Sequence, residues 1–510
     1  MASSTHKRIA KNSIVLYIRM LITMGITIFT TRIVLEALGV IDYGIYNIVG
    51  GVISFISMVT GALTLSVQRY LNFELGKNDC NRVSEVFSAA ILIHLGIAII
   101  LYVALQTIGV YYFKVSLNIP AERFDSALEV FHLSTIAASL SIAVSPFTAV
   151  IISHERMDLY AYITIVEVML KLAVAYIVLT FNGDRLIIYG LLILGVNVLH
   201  SLLNIAVWLH WFGYIKFRLK FNKKLFVQLT SFASWSAFGQ LAWAFTVQGT
   251  NILLNIFFGN ILNAAYGVSV QIQSAVNRFV QSFQTAINPQ IIKKYAQQDI
   301  EDVKTLVFSG TKFSCFLFLL MAIPIFFELD LILDIWLTEV PSYTSIFCRI
   351  MLINILFDTL SNLFATLVQA TGEIKKYQLV VSSILFLNFP LSYIGIKFTG
   401  LPYIIYIIYG FISICLVITR IRLISSKLKI KIWSSFLKIV LFPILKVLII
   451  IVPIAFLLYE LLSSLAPVIQ ILLFVVVSAF VTGLAILFIG LTRAERSKII
   501  NLVRSKLSHE

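Results

Sequence analysis

Six residues between Gln271 and Asn288 stand apart from their apolar neighbours: Gln271, Ser274, Arg278, Gln281, Thr285 and Asn288. Their spacing of three, four, three, four and three residues sets all six on one face of a helix. Counted at 1.5 Å per residue, Arg278 lies roughly 18 Å from the end of that helix. An arginine at that depth in a bilayer costs about 2.5–3.5 kcal/mol on insertion scales, so something must offset it. Two offsets are open. Arg278 lines a polar cavity and receives an anionic group, for which a guanidinium fork suits phosphate; or it pairs internally with Asp358.

Asn47, Gly50, Ser54, Ser57, Gly61 and Thr64 repeat the same intervals, and one offset of 224 residues carries them onto the stripe of Arg278. Arg19 and Arg32 are further cavity candidates. They are about 220° apart around one helix, so they do not share a face, and Arg32 also suits a headgroup-level anchor. Asn354, Asp358, Ser361, Ala365 and Gln369 form another stripe. Asp358 there holds a coupling proton or cation, or neutralises an arginine. Glu167 and Lys171 are four apart and pair with each other. His94 and His200 read as packing residues, and Lys438 and Lys446 as interfacial anchors.

Catalytic and metal patterns are missing. His154-Glu155-Arg156-Met157-Asp158 opens like a zinc-protease helix but lacks the second histidine, and neither a Walker A loop nor a nucleophile elbow occurs. Cys80, Cys315, Cys348 and Cys415 show no metal or redox spacing. The expectation is a chain that is not an enzyme and needs neither metal nor cofactor.

These residues need elements to hold them, and composition says which. Of 510 residues 59% are hydrophobic and 12% charged, and the mean hydropathy is +0.96. Water-soluble domains carry about 25% charged residues, so the solvent for this chain is lipid. Continuous apolar runs of about 20 residues, without two-residue alternation, specify helices and not a barrel. About fourteen spans are expected: 11–37, 44–70, 84–112, 126–151, 159–181, 185–210, 224–258, 261–290, 303–330, 341–370, 374–398, 402–426, 434–462 and 465–491.

The net charge of +15 gathers in alternate connections. One side holds Lys7, Arg8, Lys11, Lys77, Arg82, Arg156, Lys216, Arg218, Lys220, Lys223 and Lys224. Lys293, Lys294, Lys304, Lys375, Lys376, Arg420, Arg422, Lys427, Lys429 and Lys431 follow, then Arg493, Arg496, Lys498, Arg504 and Lys506. The other side holds Lys114, Arg123, Arg185 and Lys397 with Glu328, Asp330, Asp334 and Glu339. Such a bias places both termini in the cytoplasm and excludes nucleic acid as the reason for the charge. The first span lacks a cleavage site and reads as a retained helix. The basic linker around residues 214–224 divides the chain, and residues 35–44 resemble residues 258–267, each closing one helix and opening the next with Tyr-Gly. The expected organisation is a six-helix bundle over 1–215, a similar one over 216–430, and two appended helices with a tail over 431–510. Paired stripes in matching helices point to internal duplication of the kind some transporters carry.

Thr31-Arg32-Ile33-Val34-Leu35-Glu36-Ala37-Leu38-Gly39 with Asp42-Tyr43-Gly44-Ile45-Tyr46-Asn47 resembles the start of bacterial polysaccharide-unit flippases of the Wzx type. Gln68-Arg69-Tyr70-Leu71 with Glu74-Leu75-Gly76-Lys77, and Ile335-Trp336-Leu337 with Val340-Pro341 and Tyr343, are similar to that group as well. The likeness spans nearly the whole chain through helix number and loop lengths, and these flippases belong to the multidrug/oligosaccharidyl-lipid/polysaccharide exporter superfamily. It implies an all-α polytopic fold with two six-helix bundles in a V around a central cationic cavity. It also implies a location in the bacterial inner membrane, a substrate of undecaprenyl pyrophosphate bearing an oligosaccharide, and a polysaccharide polymerase as partner. Lipopolysaccharide O-antigen, capsule or exopolysaccharide would be the product. Rival readings are a drug or metabolite exporter of the same superfamily and a flippase for the peptidoglycan precursor. The arginines of the first span, with Glu36 only at its outer end, favour an anionic substrate over a cationic drug.

Overall fold

The computed structural model describes residues 2–111, 119–218, 222–337, 340–428 and 432–497. Lys114, Lys220, Glu339, Lys429, Lys431, Lys498, Arg504 and Lys506 lie outside the described residues. Lys7, Asn47, Gly50, Ser54 and Ser57 are placed on a helix, but their side chains also lie outside them.

In hydrocarbon every backbone N–H and C=O must find a partner within the chain, and a helix meets that demand locally. Each expected span is a helix here. The first two run through Ala2–Gly76, broken at Gly39, where φ is +75°. Then come Cys80–Ala104, Phe124–Ser153, Met157–Thr180, Arg185–Trp211, Lys223–Phe258, Asn260–Ala296 and Ile300–Phe327. Thr344–Thr371, Lys375–Phe386 continued by Asn388–Thr399, Ile404–Leu428, Phe442–Leu462 and Pro467–Ala485 complete the set. Among the described residues no strand occurs, and twelve helices are long and apolar enough to cross a membrane. Asn260–Ala296, the carrier of the stripe of Arg278, is an expected span that falls short of this standard. The chain is a polytopic all-α membrane protein.

One expected boundary moves. The span placed at 303–330 ends at Phe327, and a separate short helix, Leu329–Trp336, follows. That short helix is amphipathic: Leu329 and Leu333 are buried, while Asp330 faces outward and takes the Arg349 guanidinium at 2.7 Å. Burial alone would raise the Asp330 carboxyl, but Ser345 and Arg349 together hold it below the usual carboxylate range.

The repeat is sharper in the backbone than in the side chains. Gly39 and Gly259 both take left-handed φ, +75° and +79°, each at the break between two long helices. Lys77, Asn78 and Asp79 close the next helix onto the carbonyls of Phe73, Leu75 and Glu74. Gln297, Gln298 and Asp299 do so onto Lys293, Tyr295 and Lys294. Each of these pairs is 220 residues apart, four fewer than the stripes suggest. Four residues are about one helical turn, so both registers leave the polar residues on the same face; the backbone landmarks select 220.

The chain divides into two compact units. The first comprises Met1–Leu241, Thr285–Asp299 and Gln369–Gln378; the second comprises Ala242–Gln284, Ile300–Val368 and Leu379–Glu510. The core of the first is built on Phe87, Phe147 and Trp208, whose ring centroids lie 5.3–5.4 Å apart. One end of it is tied by Arg123, which bridges Asp42 at 2.6 Å and Asp184 at 2.9 Å. Asp184 also caps the Arg185–Trp211 helix by accepting from the Leu186 and Ile187 amides. Burial would raise the Asp184 carboxyl; Arg123, Ser126 and the amide override it and hold the acid low. In the second unit Phe347 and Tyr406 meet at 4.7 Å beside Tyr266. The final two helices belong to this unit and pack on Ile300–Phe327, with Phe327 against Phe474 at 6.0 Å.

Candidate functional site

On the Asn260–Ala296 helix, Gln271, Ser274, Arg278 and Gln281 are all exposed, while Leu262, Ala265, Tyr266, Ser269, Val276 and Val280 are buried. The polar stripe read from spacing is therefore the face that the protein leaves uncovered. Thr285 and Asn288 continue it, partly covered, into the segment assigned to the first unit. Lipid cannot hydrogen-bond to such a face, so the face requires water or a polar ligand. Among the described residues no side chain pairs with the Arg278 guanidinium.

The internal pairing of Arg278 with Asp358 does not form. Asp358 instead accepts from the Tyr409 hydroxyl at 3.0 Å and the Ser413 hydroxyl at 2.9 Å. The guanidinium beside it is that of Arg420, whose Nη1 donates to Ser361 Oγ at 2.6 Å. The Arg420 Nε is buried without a hydrogen-bond partner. Charge placement along the chain gives Arg420 only a topology-setting part and does not single out Tyr409 and Ser413. Their spacing of four and then seven residues sets all three on one helical face, a signal that the sequence does contain.

Arg19 is half-buried, with its guanidinium 4.9 Å over the Tyr160 ring. Its Nε is buried and has no hydrogen-bond partner. Arg32 is exposed, as suits an anchor or an open polar path. Glu167 and Lys171 pair at 2.6 Å as expected. His200, expected to be a packing residue, stands with its Nδ1 3.0 Å from the same carboxylate, joining the three into one polar cluster. His94 is a packing residue, buried with Nδ1 on the Ala90 carbonyl at 2.7 Å.

The segment that opens like a protease motif is a tight turn. His154 Nδ1 meets the Val150 carbonyl at 2.7 Å and Nε2 meets the Tyr214 hydroxyl at 2.5 Å. Neutral imidazole satisfies both, with Nδ1–H donating and Nε2 accepting. Burial pushes the His154 pKa down to about 4, which keeps the ring neutral.

With this geometry in place, similarity to known proteins is specific in fold and coarse in role. The MatE family pattern matches residues 236–394, a stretch that contains Arg278 and Asp358. An uncharacterised membrane protein of Bacillus subtilis (strain 168), EpsK, is 19% identical over 327 residues, and the match spans 64% of each chain. Solved structures align over most of the length. A MATE transporter in complex with MaL6 superposes with TM-score 0.72 at 15% identity, covering 82% of this chain and 97% of that one. An outward-facing multidrug resistance MATE transporter of the MOP superfamily gives 0.71 at 15%, covering 80% and 93%. A MOP superfamily transporter from Pyrococcus furiosus, described as having a binding pocket of reversed polarity, gives 0.69 at 14%, covering 80% and 94%. The chain is a multi-pass membrane protein with the fold of the MATE transporters, and it carries a segment matching the MatE pattern that contains the polar stripe of Arg278 and Asp358.

Proposed function

We propose that this protein moves undecaprenyl-pyrophosphate-linked oligosaccharide units from the cytoplasmic to the periplasmic leaflet of a bacterial inner membrane by alternating access. The observation that carries the reading is the uncovered polar face of the Asn260–Ala296 helix, with the unpartnered Arg278 at its middle. A pyrophosphate and its sugars need a path of hydrogen-bonding and cationic groups, while the polyprenyl chain stays in lipid. Arg278 is the group that receives the pyrophosphate, with Gln271, Gln281 and Asn288 beside it in the sugar path. Arg19 and Arg32 line the corresponding path in the first half, and Asn47 and Ser54 are proposed for it from their spacing in the sequence alone. Asp358, held by two hydroxyl donors, is the coupling-ion residue. The resemblance to Wzx-type flippases supports the same class, and a polysaccharide polymerase would then act on the exported units.

A second reading, export of a drug or metabolite, is favoured by the multidrug transporter among the structural neighbours. The positive charge on the open face speaks for an anion instead. Deleting the gene and analysing surface polysaccharide and lipid-linked intermediates by leaflet separates the two. Loss of surface polymer with undecaprenyl-linked units stranded on the inner leaflet supports the flippase. Unchanged glycan with sensitivity to cationic drugs supports the exporter, and accumulation of peptidoglycan precursor supports the remaining rival.

A further inference from the structure

Glu155 is the most enclosed carboxylate in an ion pair among the described residues, its side chain only 2% exposed. Three chain segments meet on it. Arg8, near the start of the chain, reaches Oε2 at 2.9 Å. Lys293, near the end of the Asn260–Ala296 helix, reaches Oε1 at 2.5 Å. Gln290, one turn earlier on that helix, donates its amide to Oε2, and Asn12 donates to the Glu155 backbone carbonyl at 3.1 Å. Glu155 also holds φ of +60°, a left-handed backbone that a glutamate rarely adopts and that only surrounding contacts can maintain. Beneath the cluster, Leu16, Ile152, Met157 and Ala286 form a closed apolar layer.

The segment Thr285–Asp299 belongs to the first unit, while the same helix up to Gln284 belongs to the second. What holds that segment is therefore a set of contacts within the first unit, made by the end of a helix whose earlier residues belong to the second. Arg69 makes a comparable hold on Gln369–Gln378 by donating to the Gln369 and Ala370 carbonyls at 3.2 and 2.9 Å. It is buried and bonds to neutral acceptors. The Glu155 hold differs in kind: it depends on charge, and Arg8 is 57% exposed to solvent. Charge-based contacts with a wet partner break and reform readily.

We propose that Arg8, Glu155, Gln290 and Lys293 form a releasable clasp, closed in this conformation, whose opening frees the Thr285–Asp299 segment and uncovers the layer around Ala286. The clasp rests on the alternating-access reading for its purpose, but its test needs no substrate. A reporter thiol, Ala286→Cys, is placed in a Cys80→Ser, Cys415→Ser background, because Cys80 is exposed and Cys415 half-buried, whereas Cys315 and Cys348 are buried. The full-length protein is purified into nanodiscs and labelled with a water-soluble maleimide. Glu155→Gln and Lys293→Gln should each raise the labelling rate of the reporter thiol about tenfold, the population shift expected when one ionic contact is removed. Glu155→Gly separates the clasp from a mere turn. Glycine relieves the positive φ yet removes the carboxylate, so it too should label fast. Slow labelling of Glu155→Gly, or an unchanged rate in Glu155→Gln, overturns the proposal while leaving the transport reading untouched. Should Glu155→Gln fail to fold, Lys293→Gln leaves the turn intact and decides the question alone, an unchanged rate there being equally fatal.

Discussion

The Lys312 ammonium lies 2.7 Å from both carboxylate oxygens of Glu495, and its side chain is only 1% exposed. Glu495 also accepts from the Thr492 amide and hydroxyl at 2.9 Å, while its own amide donates back to Thr492 Oγ1. This is a capping box that orients the acid for the lysine. Just past the end of the Ile300–Phe327 helix, Gln470 donates to Glu328 at 3.0 Å. The C-terminal segment is thus held to this neighbour at two points, one at mid-helix and one at its end.

Removing one partner of such a buried pair leaves an uncompensated charge. Glu495→Gln should destabilise the second unit by about 3 kcal/mol, whereas the double change Lys312→Met with Glu495→Gln should recover much of that. Thermal unfolding in detergent followed by tryptophan fluorescence measures both. A single and double variant that melt together would show that the pair contributes nothing.

The same pair carries a pH dependence with a defined sign. Burial alone would raise the Glu495 carboxyl, but the hydrogen bond and charge of Lys312 and the Thr492 donors hold it below its ordinary value. A depressed acid adds stability that is present above the unfolded pKa of about 4.3 and is lost as pH falls through the folded one. The melting difference between the parent and Glu495→Gln should therefore be constant near neutrality and shrink below about pH 4. A difference that persists undiminished in strong acid would contradict this.

Arg278→Ala should abolish export while leaving the protein inserted and abundant, and Arg278→Lys should retain charge but lose the bidentate fork, cutting export about tenfold. Surface glycan quantified against membrane abundance of the protein gives the answer. Normal glycan in Arg278→Ala would remove Arg278 from the substrate path.

Tyr409→Phe strips one hydroxyl donor from the Asp358 carboxylate, and a hydrogen bond to a charged group is worth about 1.5–3 kcal/mol. Its effect on coupling should therefore be graded, and Asp358→Asn should be complete. Export assayed in vesicles under imposed proton or sodium gradients should lose its gradient dependence in Asp358→Asn. Retained dependence would mean that Asp358 is a structural acid.

Gly372 has φ of +79°, and a Cβ there would stand 2.5 Å from the Arg69 Nη2. Gly372→Ala should cost about 1–3 kcal/mol in backbone strain alone and should also displace Arg69 from the Gln369 and Ala370 carbonyls. Proteolysis at the turn over residues 371–375 is the readout, with faster cleavage expected; a cleavage rate equal to the parent's would show that the turn tolerates a side chain.

Most of the helical frame was legible because its cause is local. A run of about 20 apolar residues must become a helix in lipid wherever it sits in the chain, and the two stripes were visible because 3.6-residue periodicity writes a helix face into spacing. The exposed face at Gln271, Ser274, Arg278 and Gln281 matches that reading residue for residue. The repeat register escaped by one turn for the same reason it was detectable. A shift of four residues preserves the face, and only the left-handed Gly39 and Gly259 with the matching helix ends at Asn78 and Gln298 distinguish the two.

Which segments cross the membrane, and which face of Asn260–Ala296 is polar, follow from residues within a few turns of one another and are therefore written along the chain. Partners are not local, and folding alone assigns them. Glu155 meets residues 147 positions before it and 138 after it, Lys312 meets Glu495 across 183, and Asp358 goes to Tyr409 and Ser413 while Arg278 is left open. Spacing assigns a charge to a face and says nothing about what packs opposite. In a low-dielectric interior it is that opposite group which determines whether a charge is paired into the scaffold or left available for a ligand.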